Sequence, residues 1–480
     1  MWLHRSRGRV GRKSLEGQGE LLPSKDRLMP DPKDDVAPTE ALTGSLRDYR
    51  EPHGPDLLGR VDHFFRWQDL RRQHRLWSYS RSTEDAPGTF CAARDDTGAR
   101  FSGINFGSQD YLSLGSHPAI KDAAKEAIDE YGVHSAGAPA FLGSTRYSLA
   151  LERTIADFLG MQHTVLFPTG WAAGFGVIRG LVRPSDHVVI DALAHSCLQE
   201  GAAAATRNVH SHRHLDVDSA RRHLTRIRSH DTENAILVVT ESLYSMDSDT
   251  PDIAALQDLC REFRATLVVD AAHDLGNLGD DGRGHLGLQQ MLGRVDIVMG
   301  SFSKTFASNG GFVACNSPAV REYLKFYCSP QMFSNALAPA QAATVLKAFD
   351  IVTSSEGGAL RAQLMANIRY LRTTLDQAGF EVLGEPSAIV PVLMHAEGLA
   401  RLVARRLPTL GLVANLVEYP AVAKGSARFR FQVMAKHSRR DIDDAVDRLR
   451  TAYRESQILF GAHQSPGATT AADATASAGD

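Results

Sequence analysis

Cysteine is scarce: five residues in 480, at Cys91, Cys197, Cys260, Cys315 and Cys328, odd in number and with no C-x-x-C pair. That argues against a disulfide scaffold or a zinc ribbon and leads to the expectation of a reducing, cytoplasmic setting. No apolar run approaches the ~18 residues that a membrane span needs. Charge of one sign is lacking too, since 53 Lys and Arg against 56 Asp and Glu leave a net −3. A balance this close carries no electrostatic footprint for nucleic acid or an anionic membrane, so neither is expected as a partner. Residues 1–14 are basic, but no apolar stretch follows as in a signal peptide, and Glu16, Glu20 and Asp26 spoil the acid-poor pattern of a transit peptide. What is present is ordinary: 43% apolar and 23% charged residues, enough in a chain of this length for a large core without staples.

Residues 1–45 run basic, then acidic, with Pro23, Pro30, Pro32 and Pro38, and read as a disordered or loosely docked arm. An N-terminal segment follows at 46–104, then a large domain at 105–345, a smaller α+β domain at 346–462, and a small, polar, disordered tail at 463–480. Within the large domain, β-branched runs at 164–167, 187–191, 235–241, 266–270, 296–301 and 311–315 alternate with helix-period stretches. One of these, 253–264, has an apolar face at Ile253, Leu256, Leu259 and Cys260. ILVVTE and TLVVDAA are apolar on both faces, as strands between two helix layers should be. The expectation is an α/β fold with a mostly parallel sheet, whose ligands bind outside the carboxyl ends of its strands. The polar residues at those ends are Asp191, Glu241, Asp270 and Ser301. After 345 the texture changes to a long helix at 358–379, short runs such as AIVPVLM and ARFRFQVM, and a last helix from Arg439.

Chemistry-bearing residues cluster at three strand ends. Lys304 follows a strand, and desolvation there would lower its pKa and make its amine a Schiff-base nucleophile; an ordinary surface lysine is the plain alternative. Ser301 and Ser303 beside it suit a phosphate. Ser301-x-x-Lys304 also fits a penicillin-recognising hydrolase, but the S-D-N and K-T-G partners of that class are missing. Asp270 and His273 can face one crevice, where the carboxylate would pair with a pyridinium nitrogen, or Asp270 would cap a helix instead. Gly170 and Trp171 open a helix after a strand, a phosphate-binding geometry. His195 could stack on a ring. His210, His212 and His214 offer three imidazoles, but no local Cys, Asp or Glu completes a metal site, so none is expected.

Taken in order, NFGSQDYLSLGSHP, FPTGWAAG, DALAHS, ESLYSMDSDTP, VDAAHDLGNLGDDGRG, GSFSKTFASNGGF and KGSARFRFQVMAKHSRRDID resemble the α-oxoamine synthase family of pyridoxal 5'-phosphate enzymes. The likeness runs from Asn105 to about Leu449. It implies the fold type I aminotransferase-like architecture, with a mostly parallel seven-stranded sheet and a smaller C-terminal α+β domain. It also implies a homodimer with the active site at the interface. Lys304 matches the lysine that binds the cofactor and later moves the α-proton, Asp270 the partner of the pyridine nitrogen, and His273 the group near the phenolic oxygen. His195 matches the stacking histidine, and Ser301, Ser303, Gly170 and Trp171 the phosphate cradle. Ser245 falls in the pocket motif, and Arg430 matches the arginine holding the substrate carboxylate. The implied reaction condenses an amino acid with an acyl-CoA or acyl-carrier thioester, usually with decarboxylation. The alternative keeps the cofactor but sends the amino-acid carbanion to another electrophile, or transfers the amino group. Departures fall on the substrate side: Ala271 stands where Asp or Glu is usual, Ala138-Pro139 where Ser-Arg is frequent, and Ala194 where Asn is common.

Overall fold

The computed structural model describes residues 37–464, so the expectations for 1–36 and for the tail beyond 464 lie outside the described residues. Seven strands form the central sheet: β1 (His163–Phe167), β2 (His187–Asp191), β3 (Val209–His212), β4 (Ile236–Glu241), β5 (Thr266–Asp270), β6 (Ile297–Ser301) and β7 (Gly311–Cys315). They lie in the order β1-β7-β6-β5-β4-β2-β3, with β7 alone antiparallel to its neighbours. Every residue of β4 is buried, because helices cover both faces and each face has its own apolar core. From β2 the chain steps outward to β3, then returns to the other side of β2 and continues through β4, β5 and β6. A crevice opens where strand order reverses in this way. It lies beside the ends of β2 and β4. β3 is the strand whose sequence, VHSH, carries no apolar run, and only its pairing with β2 makes it one.

The smaller layer holds three antiparallel strands, β8 (Ile389–His395), β9 (Asn415–Val417) and β10 (Ala427–Gln432), in the order β8-β10-β9. The helices Ser355–Gln377, Glu397–Arg406 and Arg439–Gln464 accompany it. The N-terminal segment is fused to this layer. Leu412–Val413 adds in parallel to the strand Arg100–Asn105, and Gly103 approaches Gly411 so closely that a Cβ would sit 2.1 Å from its carbonyl oxygen.

Residues 37–45, expected to belong to a loose arm, are packed. Ala37, Ala41 and Leu42 are buried against Leu76 and Leu402. Arg71 donates to the carbonyls of Thr43 (3.2 Å) and Gly44 (3.3 Å), and Arg401 to those of Leu42 and Gly44. Both guanidiniums share Glu418, which bonds Arg401 Nε at 2.7 Å. Composition hid this because the partners come from other elements, Arg401 lying 357 residues beyond Gly44. Among the described residues no helix is long and apolar enough to cross a membrane.

Candidate active site

The carboxyl ends of β4, β5 and β6 sit side by side, with Glu241 in register with Asp270 and Asp270 with Met299. Asp270 is buried, and its Oδ1 accepts the Ala272 N–H at 2.9 Å, so the capping role and a site role coexist. Burial raises its carboxyl above the ordinary range, while His195 and Lys304 pull it back. A carboxylate held in that state is completed by a cation, and a protonated pyridine nitrogen is one. Lys304 follows β6 in a tight turn beside a cavity of about 360 Å³, also lined by Gln109, Asp110, Ser308 and Asn309. Burial lowers the pKa of its amine, and Asp270 and Glu241 oppose that shift. This is the desolvated amine that carbonyl condensation needs.

His273 is buried and its pKa lies well below the usual histidine value, first by burial and then by the fields of Lys304, Arg430 and His195. It is therefore a neutral imidazole. Tyr111 Oη lies 3.1 Å from its Nδ1. His195 caps the helix α1 (Ser196–Ala205) and keeps one side open to solvent. Its Nδ1 accepts the Cys197 N–H at 3.3 Å, and its own backbone N–H donates to Glu241 Oε1 at 2.6 Å. Burial of Glu241 beside Asp270 pushes its carboxyl well up.

Gly170 begins the helix Gly170–Leu181, whose N-cap Thr169 accepts from Ala172 N. A Cβ on Gly170 would lie 2.4 Å from the Ser301 hydroxyl, so only glycine lets that hydroxyl reach the helix start. Ser303 N–H donates to Ser301 Oγ at 3.3 Å, and the two hydroxyls are 3.2 Å apart. Helix amides and two hydroxyls lie together there, donors of the kind a phosphate needs. Trp171 stacks on Phe175 at 5.1 Å and remains 44% exposed. These groups fit pyridoxal phosphate at each of its polar positions.

Arg430 and Arg428 share one face of β10 and reach the loop after β4. Arg428 pairs with Asp247 and donates to the Met246 carbonyl at 3.1 Å, which makes it a structural contact. Arg430 offers Nη1 to the Ser245 carbonyl at 3.5 Å and keeps donors free for a carboxylate. Ser245 itself is buried. The three histidines of 210–214 do not converge. His210 faces His187 at 3.2 Å, His212 bonds the Arg213 carbonyl, and His214 sits between Asp191 (2.8 Å) and Asp249 (3.1 Å). Three participants were given no role from sequence: Glu241, Tyr111 and Gln432. Glu241 was visible as a polar strand end. Tyr111 and Gln432 lay within quoted motifs, but the contact between them joins segments far apart in the chain.

The model of aminotransferase class I and II matches residues 102–449, and the chain belongs to that family, within its α-oxoamine synthase branch. It is a pyridoxal-phosphate-dependent transferase. A serine palmitoyltransferase of Sphingobacterium spiritivorum is 31% identical over 408 residues, covering 84% of this chain and 98% of that one. An 8-amino-7-oxononanoate synthase of Geotalea daltonii is 35% identical over 339 residues, covering 71% and 86%. A solved serine palmitoyltransferase with pyridoxal phosphate matches at TM-score 0.78 and 27% identity, across 84% of this chain and 100% of that one.

Proposed function

We propose that this enzyme joins the α-carbon of an amino acid to the acyl carbon of a thioester, releasing the thiol and the α-carboxylate as CO₂. The observation that carries this reading is the joint approach of Lys304, Asp270, His273 and Arg430 to one crevice, each within the field of at least one of the others. Bound pyridoxal phosphate would supply an electron sink for the α-carbon. Asp270 would hold the proton on its ring nitrogen, His273 would donate to its phenolic oxygen, and His195 would lie against its face. Gly170, Trp171, Ser301 and Ser303 would hold the phosphate, and Ser245 would line the cofactor pocket. Arg430 would grip the amino-acid carboxylate through two parallel N–H donors. Lys304, whose amine burial makes easier to deprotonate, would take the α-proton at Nζ.

The working unit in this reading is a cytoplasmic homodimer. Val133, Phe141, Leu142 and Phe333 are between 74% and 91% exposed. Their loops are joined by Ala336 N–H to the Gly137 carbonyl and by Ser135 Oγ to the Ala336 carbonyl, both at 2.8 Å. Such an apolar group on one edge suits a second copy. All five cysteines are free and buried, which suits a reducing compartment. The deciding experiment screens amino acids for a change in the bound cofactor's visible spectrum, then screens thioesters for CO₂ and thiol release. Amino-donor activity with no thiol release from any thioester would overturn acyl transfer in favour of amino transfer.

A further inference from the structure

Four side chains from three parts of the chain meet behind the site. Arg430 and Gln432 lie two residues apart on β10, Tyr111 comes from the turn after the N-terminal segment, and His273 follows β5. Tyr111 and Gln432 have no exposed surface and His273 very little. A guanidinium has five N–H donors and no acceptor, so Gln432 must turn its amide oxygen toward Arg430. In that orientation it accepts from Arg430 Nε at 2.8 Å and Nη2 at 3.1 Å, and its NH₂ donates to Tyr111 Oη at 3.3 Å. The phenol, kept protonated by burial, is thereby left to donate its own proton to His273 Nδ1 at 3.1 Å. An imidazole whose Nδ1 accepts carries its proton on Nε2.

We propose that Arg430, Gln432 and Tyr111 form a one-way hydrogen-bond relay that fixes His273 as the Nε2–H tautomer, with Gln432 as its positioning residue. The inference rests on the reading of His273 as the donor to the cofactor's phenolic oxygen. It adds that the same guanidinium proposed to hold the substrate carboxylate sets the polarity of that contact. Three of the four residues are buried, and in such surroundings the direction of a hydrogen bond matters most.

Gln432→Glu isolates the polarity. Glutamate still accepts from Arg430 but cannot donate to Tyr111, so the phenol turns toward the carboxylate and His273 Nδ1 loses its donor. Cofactor dissociation constants and the pH midpoint of the cofactor's visible absorbance, both without substrate, are compared for Gln432→Glu, Tyr111→Phe, the double variant and His273→Asn. The expected result is an affinity loss of about three- to tenfold in each single relay variant, the range of one hydrogen bond, with midpoints displaced in the same direction. The double variant should be no worse than Tyr111→Phe, because both changes cut one chain. A wild-type Gln432→Glu, or an effect that persists in full in the Tyr111→Phe background, overturns the relay and assigns any change to the added charge. If His273→Asn alters both readouts while Gln432→Glu does not, only the relay fails. If His273→Asn alters neither, the placement of His273 at the cofactor fails with it.

Discussion

The floor of the site and its wall are built in different ways. The floor (Asp270, Glu241, Ser301 and Lys304) sits on or just beyond adjacent strands whose backbones are bonded in register, so each side chain inherits its position from the sheet. The wall (Arg430 and the loop after β4) belongs to elements joined mostly through side chains. Ser248 Oγ meets Ser387 Oγ at 2.8 Å, Glu385 N–H donates to the Ser248 carbonyl at 2.7 Å, and Arg428 pairs with Asp247. His214 crosses between them, from Asp191 at the end of β2 to Asp249 in the loop. A sheet is costly to alter locally, whereas a side-chain contact can be replaced singly. Two departures from the family pattern adjoin site residues in the chain, Ala271 beside Asp270 and Ala194 beside His195. In the proposed reading, cofactor chemistry falls to the rigid part and the grip on the substrate carboxylate to the adjustable part.

The comparison is broken most severely by removing the nucleophile. Lys304→Ala should lose on the order of 10⁴-fold in turnover, the upper range for a positioned acid–base group, while the thermal unfolding midpoint stays near that of the parent. Borohydride reduction of the holoenzyme followed by peptide mapping should mark Lys304; a mark on another lysine would displace it. Next comes Asp270→Asn, which leaves a ring cation without its counter-charge. Breaking a buried pair of this kind corresponds to about 10²- to 10³-fold in kcat, with weaker cofactor binding. Near-normal turnover would reduce Asp270 to its bond with Ala272 N–H.

The wall should respond differently. Arg430→Lys loses the planar fork and should cost about 10- to 100-fold in kcat/KM for the amino acid. Arg428→Lys should instead lower the unfolding midpoint and leave KM alone, because Arg428 holds Asp247 and the Met246 carbonyl. Exchange of the two outcomes would move the anchor by two residues.

The smallest effect concerns the link between floor and wall. Its two carboxylates, working against partial burial, raise the pKa of His214 to about 10 from the ordinary 6.5. A group raised on folding stabilises fully below its unfolded pKa and loses that contribution as pH climbs through the folded one. Unfolding midpoints should therefore decline between about pH 6.5 and about pH 10, and His214→Gln should flatten part of that decline. A decline of the same size in the variant would assign it to other groups.

Most of the floor could be read from sequence because buried parallel strands announce themselves as apolar runs ending in a polar residue, as LVVD and ILVVTE do. β3 escaped because VHSH has no such run and becomes a strand only by pairing with β2. Gln432 and Tyr111 escaped for a related reason. A buried amide and a buried phenol look like core until the guanidinium and imidazole beside them are seen. The packed stretch 37–45 was hidden by its composition, since the apolar partners and the two arginines that hold it are contributed by other elements.

That last arrangement constrains the order of events at the ribosome. Arg401 donates to the carbonyl of Gly44 at 2.7 Å, a residue made 357 positions earlier. At ordinary elongation rates roughly 20 to 70 seconds separate the two, during which Arg71 is the only one of the two guanidiniums present to bond this stretch. The share of the contact that Leu402 and Arg401 contribute must wait out that interval, so the first described helix is among the last to be fully fastened. Cellular yield of this enzyme should accordingly depend on how well its nascent N-terminal region is shielded, a demand set by topology and independent of catalysis.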